Sequence, residues 1–245
     1  MRRRLDLVLV ERGLAPSRSQ ARDFVKHGRV SIDQQVCIKP GAEVDASQVL
    51  TLAPGTSPYV SRGVVKLTAG LDAFGFDPEG CVALDIGAST GGFTQVLLTR
   101  GAEKVYAVDV GHDQLHSSLK DDPRVISLEG CDARTLTREL IPNPVTAIAA
   151  DVSFISLAKA LPAALALAAP GAWLVALIKP QFEVGPERVG KGGIVRDEAA
   201  RQAAVDDVTA WFAARPGWRI AGVVVSPIKG GSGNEEFLLG ALFDG

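Results

Sequence analysis

The chain is poor in cysteine, methionine, histidine and tyrosine, and it has no long uninterrupted apolar run. Each shortage removes a class of function. Cys37, Cys81 and Cys131 are odd in number, far apart and never in a C-x-x-C pair, so they suggest neither a disulfide framework nor a zinc site. His112 and His116 have the spacing of a helical metal pair, but no third ligand accompanies them and no metal is expected. The stretch from Leu157 to Leu177 is interrupted by Lys159, Pro162, Pro170 and Gly171, which argues against a membrane span. Nothing at the N-terminus resembles a secretory signal, so a cytoplasmic protein with no membrane partner is expected. Two candidate activities fall with these absences. A nicotinamide-dependent oxidoreductase would need a placed tyrosine or histidine, and Tyr59 and Tyr106 are not so placed; a lytic protein would need a cationic amphipathic or spanning helix.

What is present is core material, 47% hydrophobic residues over 245 positions, enough for one large domain and a small one. The most informative segment is Leu84 to Phe93, LDIGASTGGF, a glycine-rich turn directly after an apolar strand. Gly87, Gly91 and Gly92 are expected to let backbone N–H groups approach a ligand, with Ala88, Ser89 and Phe93 completing the turn. The second glycine of a dinucleotide fingerprint is missing, and Asp85 sets a carboxylate beside the turn. That carboxylate suits a cationic amino-acid tail better than a pyrophosphate, which points to S-adenosylmethionine. Asp109, after the strand Lys104 to Val108, is placed to accept two ribose hydroxyls, and Asp132 to hold an adenine amino group. Val110 and Ala133 follow these acids and join the expected cofactor set. The bland alternative is that Asp109 and Asp132 merely cap helices.

The net charge of −2 hides an asymmetry, because residues 1–60 carry nine Lys/Arg against six Asp/Glu. Ser17 and Gln20 have the spacing of a capping box, and Gly28 stops the helix they begin. One face of that helix, Ala21, Phe24 and Val25, is expected to pack on Leu7, Val8 and Val10. The other aligns Arg18, Arg22, Lys26 and Arg29 in a stripe that fits a phosphate backbone. A hairpin, Val30 to Ile32 and Val36 to Ile38, and a strand near Val49 to Leu52 follow. The segment RLDLVLVERGLAPSRSQARDFVKHGRVSIDQQVCIKPGAEV resembles the S4 RNA-binding domain, departing from many relatives in having Gln34-Gln35 where they carry Asn-Gly. Arg4 and, further on, Arg62 join the expected RNA contacts. Ala53 to Pro58 has linker composition, so residues 1–58 are read as this module with its linker and 59–245 as a second domain.

Beyond the linker, strands are expected near 81–86, 104–109, 124–128, 146–151, 172–178, 219–226 and 236–243, with a buried helix over 158–169 and an amphipathic one over 197–214. Asp151 and Lys179 each end an apolar run, so they are expected to pair with each other or with a ligand, or else to form a structural ion pair. The blocks SRGVVKL, LDIGASTGGFT, ADVSFISL, LIKPQFEVG and GNEEFLL resemble those of the TlyA (hemolysin A) RNA methyltransferases, related to FtsJ-type ribose methyltransferases. With the S4 module included, the resemblance spans nearly the full length. It implies an α/β chain: a Rossmann-like seven-stranded S-adenosylmethionine-dependent methyltransferase domain behind a small α+β S4 domain. It also implies a tetrad of Lys66, Asp151, Lys179 and Glu236, with Glu235 a neighbouring alternative, and ribosomal RNA or a ribosomal subunit as partner, with a cytidine ribose as acceptor.

A ribose 2′-hydroxyl is a poor nucleophile until a base takes its proton. Burial and a neighbouring cation weaken a lysine's hold on its own proton, so Lys179 is the expected base, with Asp151 orienting it and Glu236 holding Lys66. Other methylations fit less well. Cytosine C5 chemistry needs a cysteine nucleophile, and no cysteine here follows a strand-four or strand-six motif, while Asn143-Pro144 precedes its strand and lacks the aromatic residue of an amine-methylating element. The glycine-rich segment Gln181 to Val195 reads as a mobile loop over the site or, equally, as a passive one. Phe182 within it is placed to stack on a base.

Overall fold

The computed structural model describes residues 2–12, 14–15, 18–54, 56 and 59–245. The chain forms two compact units, Met1–Val60 and Ser61–Gly245. In the first, β1 (Arg3–Arg4) leads into α1 (Leu5–Glu11), and α2 (Arg18–Lys26), β2 (Val30–Ile32), β3 (Gln35–Cys37), β4 (Glu43–Val44) and β5 (Leu50–Leu52) follow. β1 pairs with β4, and β2 lies between β3 and β5 in a small antiparallel sheet. The core is Leu5, Val8, Leu9, Ala21, Phe24, Val25 and Val30. Leu7, expected in this core, is 36% exposed instead. On a helix, residues three and four apart share a face, and Leu5, Val8 and Leu9 fill it. The capping position Ser17 lies outside the described residues.

The β2–β3 turn is two residues long, one shorter than expected, because Gln35 already pairs with Ile32. Asp33 and Gln34 both have positive φ, 49° and 70°, the backbone that matches the twist of a two-residue hairpin. The Asp33 carboxylate braces it by accepting from the backbone N–H of Val49 and the side chain of Gln48, each at 2.9 Å.

The second unit continues with α3 (Gly63–Phe74), β6 (Val82–Ile86), α4 (Gly92–Thr99), β7 (Lys104–Asp109), α5 (Ser117–Lys120), β8 (Val125–Glu129) and β9 (Val145–Ala150). Then come α6 (Leu157–Ala160), α7 (Pro162–Leu165), β10 (Ala168–Ile178), α8 (Pro180–Glu183), α9 (Glu198–Ala213), β11 (Trp218–Val225) and β12 (Phe237–Phe243). The seven strands form one sheet, in the order β11-β12-β10-β9-β6-β7-β8, with β12 antiparallel to both its neighbours. The central strands are largely apolar, as expected where both faces are covered, with Asp85 the charged exception in β6, and Leu84, Ile86, Ile148, Leu174 and Ile178 are wholly buried.

The helix expected over 158–169 is broken and short. Pro162 has no N–H to give and its ring crowds the preceding turn, so it ends α6 and starts α7, and Ala168 already pairs with Val145 in the sheet. The 197–214 helix forms as α9, capped by the Asp197 carboxylate, which accepts from the Ala199 N–H. No helix among the described residues is long and apolar enough to cross a membrane. From β6 the chain winds outward through β7 and β8, then returns to β9 on the other side of β6. The strand order thus reverses between β6 and β9, the place where such sheets open a ligand crevice beyond their carboxyl ends.

Candidate active site

A cleft of about 1120 Å³ lies at this reversal. Of the residues expected to bind a cofactor, Gly87, Ser89, Asp109, Val110, Asp132, Ala133 and Asp151 line it. Asp109 spans two turns there: its carboxylate accepts from the backbone N–H of Ser89 at 2.7 Å and of Gly111 at 2.8 Å. Asp132 accepts from the Arg134 backbone and from its guanidinium, so it does cap a short 3-10 turn, Ala133–Thr135, while lining the cleft. Arg134 holds its carboxyl below the usual carboxylate range.

The other expected cofactor residues, Asp85, Ala88, Gly91, Gly92 and Phe93, are buried behind the cleft wall and do not line it. The glycines have internal reasons. Gly87 has φ of 82°, and a Cβ there would come within 2.6 Å of the Asp151 carbonyl oxygen. Gly91 has φ of 94°, and its Cβ would strike Leu115 and Leu119. Both glycines thus have steric reasons within the protein, beside the ligand approach that their composition suggested.

Asp85 lies inside β6, one residue before its end, and is wholly buried. Its Oδ2 accepts from the Thr94 N–H at 2.7 Å and hydroxyl at 2.6 Å, whereas its Oδ1 has no hydrogen-bond partner among the described residues. Burial pushes this carboxyl up to about 7; the Thr94 bonds oppose the rise, and the charges of Asp151 and Asp109 add to it.

Register brings the expected catalytic residues to one edge of the sheet. Ile86 and Ala176 both pair with Ala150, and Ile178 faces Phe237. Gly87, Asp151, Lys179 and Glu236 each adjoin the end of one of four neighbouring strands, about 5 Å apart from strand to strand. Lys179 Nζ lies 2.5 Å from Asp151 Oδ1 and donates to Ser153 Oγ at 2.8 Å. It also lies 6.0 Å from the ring centroid of Phe182. Lys66, on the buried side of α3, donates to Glu236 Oε2 at 2.5 Å. The neighbouring Glu235 pairs with Arg201 at 3.1 Å, so it is Glu236 that faces inward.

Three further residues belong to this region and were not singled out from sequence. Ser153 and Glu183 line the cleft, and Glu183 accepts from the Leu157 N–H at 2.9 Å, its carboxyl raised chiefly by burial. Asn234, also buried, accepts from the Val195 N–H and donates to the Gly193 carbonyl, which ties the glycine-rich segment to the stretch before Glu236. That segment also includes α8 and a 3-10 turn, Pro186–Arg188, and Phe182 packs against Phe154 at 5.1 Å. The only advance signals were proximity in sequence, Ser153 two places after Asp151 and Asn234 two before Glu236. Asn143 has a structural role, accepting from the Tyr106 hydroxyl at 2.5 Å.

Of the expected RNA contacts, Arg22, Lys26, Arg29 and Arg62 are exposed, and the first three have no acidic partner among the described residues. Arg4 and Arg18 are organised by Asp6, which sequence reasoning missed. Arg4 donates twice and Arg18 once to this buried carboxylate, each at 3.0 Å, and these bonds hold it at about 2.

A family model described as FtsJ-like methyltransferase matches residues 59–243, and one described as S4 domain matches residues 3–50. A Mycobacterium tuberculosis protein named 16S/23S rRNA (cytidine-2′-O)-methyltransferase TlyA is 48% identical over 97% of this chain and 89% of its own length. Hemolysin A of Brachyspira hyodysenteriae is 37% identical over 96% and 98% of the two chains. A solved Streptococcus thermophilus chain, provisionally named a hemolysin, superposes with a TM-score of 0.73 at 40% identity, covering 99% of this chain and 88% of that one.

Proposed function

This chain belongs to the TlyA family of rRNA methyltransferases, an S4 domain followed by an FtsJ-like methyltransferase domain, and we propose that it methylates a ribose 2′-hydroxyl, that of a cytidine, in ribosomal RNA with S-adenosylmethionine as donor. The observation that carries this reading is the pair of Lys179 with Asp151, in which Asp151 lines the cleft and sets the amine 2.5 Å behind it, where an acceptor hydroxyl would lose its proton.

The residues present fit the donor. Asp109 would take the ribose hydroxyls at the cleft rim, and Asp132 the adenine amino group, sharing its carboxylate with Arg134. The backbone of Gly87 to Ser89 would border the amino-acid tail. When bound, S-adenosylmethionine supplies an electrophilic methyl group.

The chain's own residues supply alignment and proton removal. As the base, Lys179 takes the proton of the 2′-hydroxyl as the oxygen becomes nucleophilic, a role open only to its neutral amine. Asp151 then faces an ammonium and stabilises it. Lys66 and Glu236 neutralise each other and hold α3 to the start of β12. Positioning contributes much of the rate, since the transfer is in line.

Incubation with labelled S-adenosylmethionine and separated ribosomal subunits tests the reading. Label is expected in a nucleotide whose 3′ linkage resists alkali, because a methylated 2′-oxygen cannot attack the adjacent phosphate. Lys179→Ala should lose at least about 100-fold in transfer. Label on a base, no label in RNA, or full activity in Lys179→Ala would refute it.

A further inference from the structure

Lys179 has two polar partners of different kinds. Asp151 Oδ1 is 2.5 Å away in an ion pair whose angles fall outside those of a hydrogen bond. Ser153 Oγ, at 2.8 Å, is the one directional acceptor of the Lys179 amine among the described residues. A lysine amine sits on a flexible stem and turns freely about its last bond unless something holds one N–H. Asp151 therefore decides where the nitrogen sits, and Ser153 decides how it is turned.

We propose that Ser153 is a positioning residue for methyl transfer, one that aims the lone pair of Lys179 by holding one of its N–H bonds. The proposal rests on the reading of Lys179 as the base. A neutral amine is tetrahedral: with Cε on one vertex and one N–H fixed on Ser153, the one remaining hydrogen and the lone pair share the two other vertices, whose directions are then set. In the step itself the 2′-O–H bond breaks, a new N–H bond forms on Lys179, and the oxygen gains the methyl carbon, whose bond to the donor's sulfur breaks. Ser153 accepts from a different N–H throughout and undergoes no net change. The segment after β9 brings both partners to a lysine from β10, and Ser153 is exposed on the cleft wall. The next residue, Phe154, holds φ of 64°, a conformation costly for an aromatic side chain, so the path of this segment is tightly constrained.

The test uses the full chain with S-adenosylmethionine and separated ribosomal subunits. Ser153→Ala is expected to lower kcat about 2- to 10-fold, the rate equivalent of one hydrogen bond between neutral groups, with both KM values changed less than about twofold. Its melting temperature should stay unchanged, since the side chain is exposed. Ser153→Thr, which keeps the hydroxyl, should recover most of the loss. Three results would overturn the proposal: wild-type kcat in Ser153→Ala beside an inactive Lys179→Ala, a change confined to KM, or a threonine variant no better than alanine. Full activity in Lys179→Ala would instead remove the base assignment, and this proposal with it.

Discussion

Lys66 and Glu236 are 170 positions apart in the chain and meet at 2.5 Å, with side chains 10% and 3% exposed. A pair this buried is costly to break, because the survivor keeps its charge without a partner. Glu236→Gln is expected to lose about 3 kcal/mol in urea unfolding, and Lys66→Met combined with Glu236→Leu to lose clearly less. Equal losses in the two would show that packing, not charge, is at stake. Asp85 has the opposite character, a carboxyl whose charged form the fold disfavours. Its folded value of about 7 lies above the ordinary 3.8, so between these the unfolded chain has released a proton that the folded one keeps. Stability therefore falls as pH rises through that window, by about 1.4 kcal/mol per unit at most, and levels off above it. Asp85→Asn should lack this slope in urea unfolding between pH 4 and 8; a wild-type curve equally flat would contradict it. Asp6 works in the opposite sense and further down the scale: held at about 2 by its arginines, it contributes stability above the ordinary carboxylate range that is lost as pH falls through 2.

At the scale of elements, α2 presents Arg22 and Lys26 to solvent, with Arg29 just beyond its end. The stripe was legible in sequence because four-residue spacing returns to one helix face. That Arg18 belongs to a different arrangement was not, since its partner Asp6 comes from α1. Each alanine at Arg22, Lys26 or Arg29 is expected to weaken binding of ribosomal RNA and to flatten its log–log salt dependence by about one, without altering the melting temperature. An unchanged slope in filter binding across several salt concentrations would remove that residue from the interface. Pro162 gives the converse lesson. Apolar composition favoured one long helix, and a single missing N–H divided it, with β10 claiming its last residues.

For the molecule as a whole, each unit has its own apolar core, one built on Leu5, Leu9 and Val25, the other on the strands of the seven-stranded sheet. Heating is expected to give two transitions, and S-adenosylmethionine to raise only the one belonging to Ser61–Gly245, because a ligand stabilises the unit that holds its site. A single transition that shifts as a whole in calorimetry would contradict this. The periodicities of the chain were sufficient for the seven strands and the basic helix face. The glycine turn and the charges closing apolar runs were enough to nominate Asp151 and Lys179. Such signals are local, set by how side chains repeat along a strand or helix, and a sequence displays them directly. Which charges meet was decided by tertiary structure, because strand order and register bring the ends of β6, β9, β10 and β12 side by side, and no local pattern encodes that neighbourhood. The same holds for the burial of Asp85, the inward turn of Glu236 rather than Glu235, and the hydrogen bond from Lys179 to Ser153, each of which exists only once distant segments are packed.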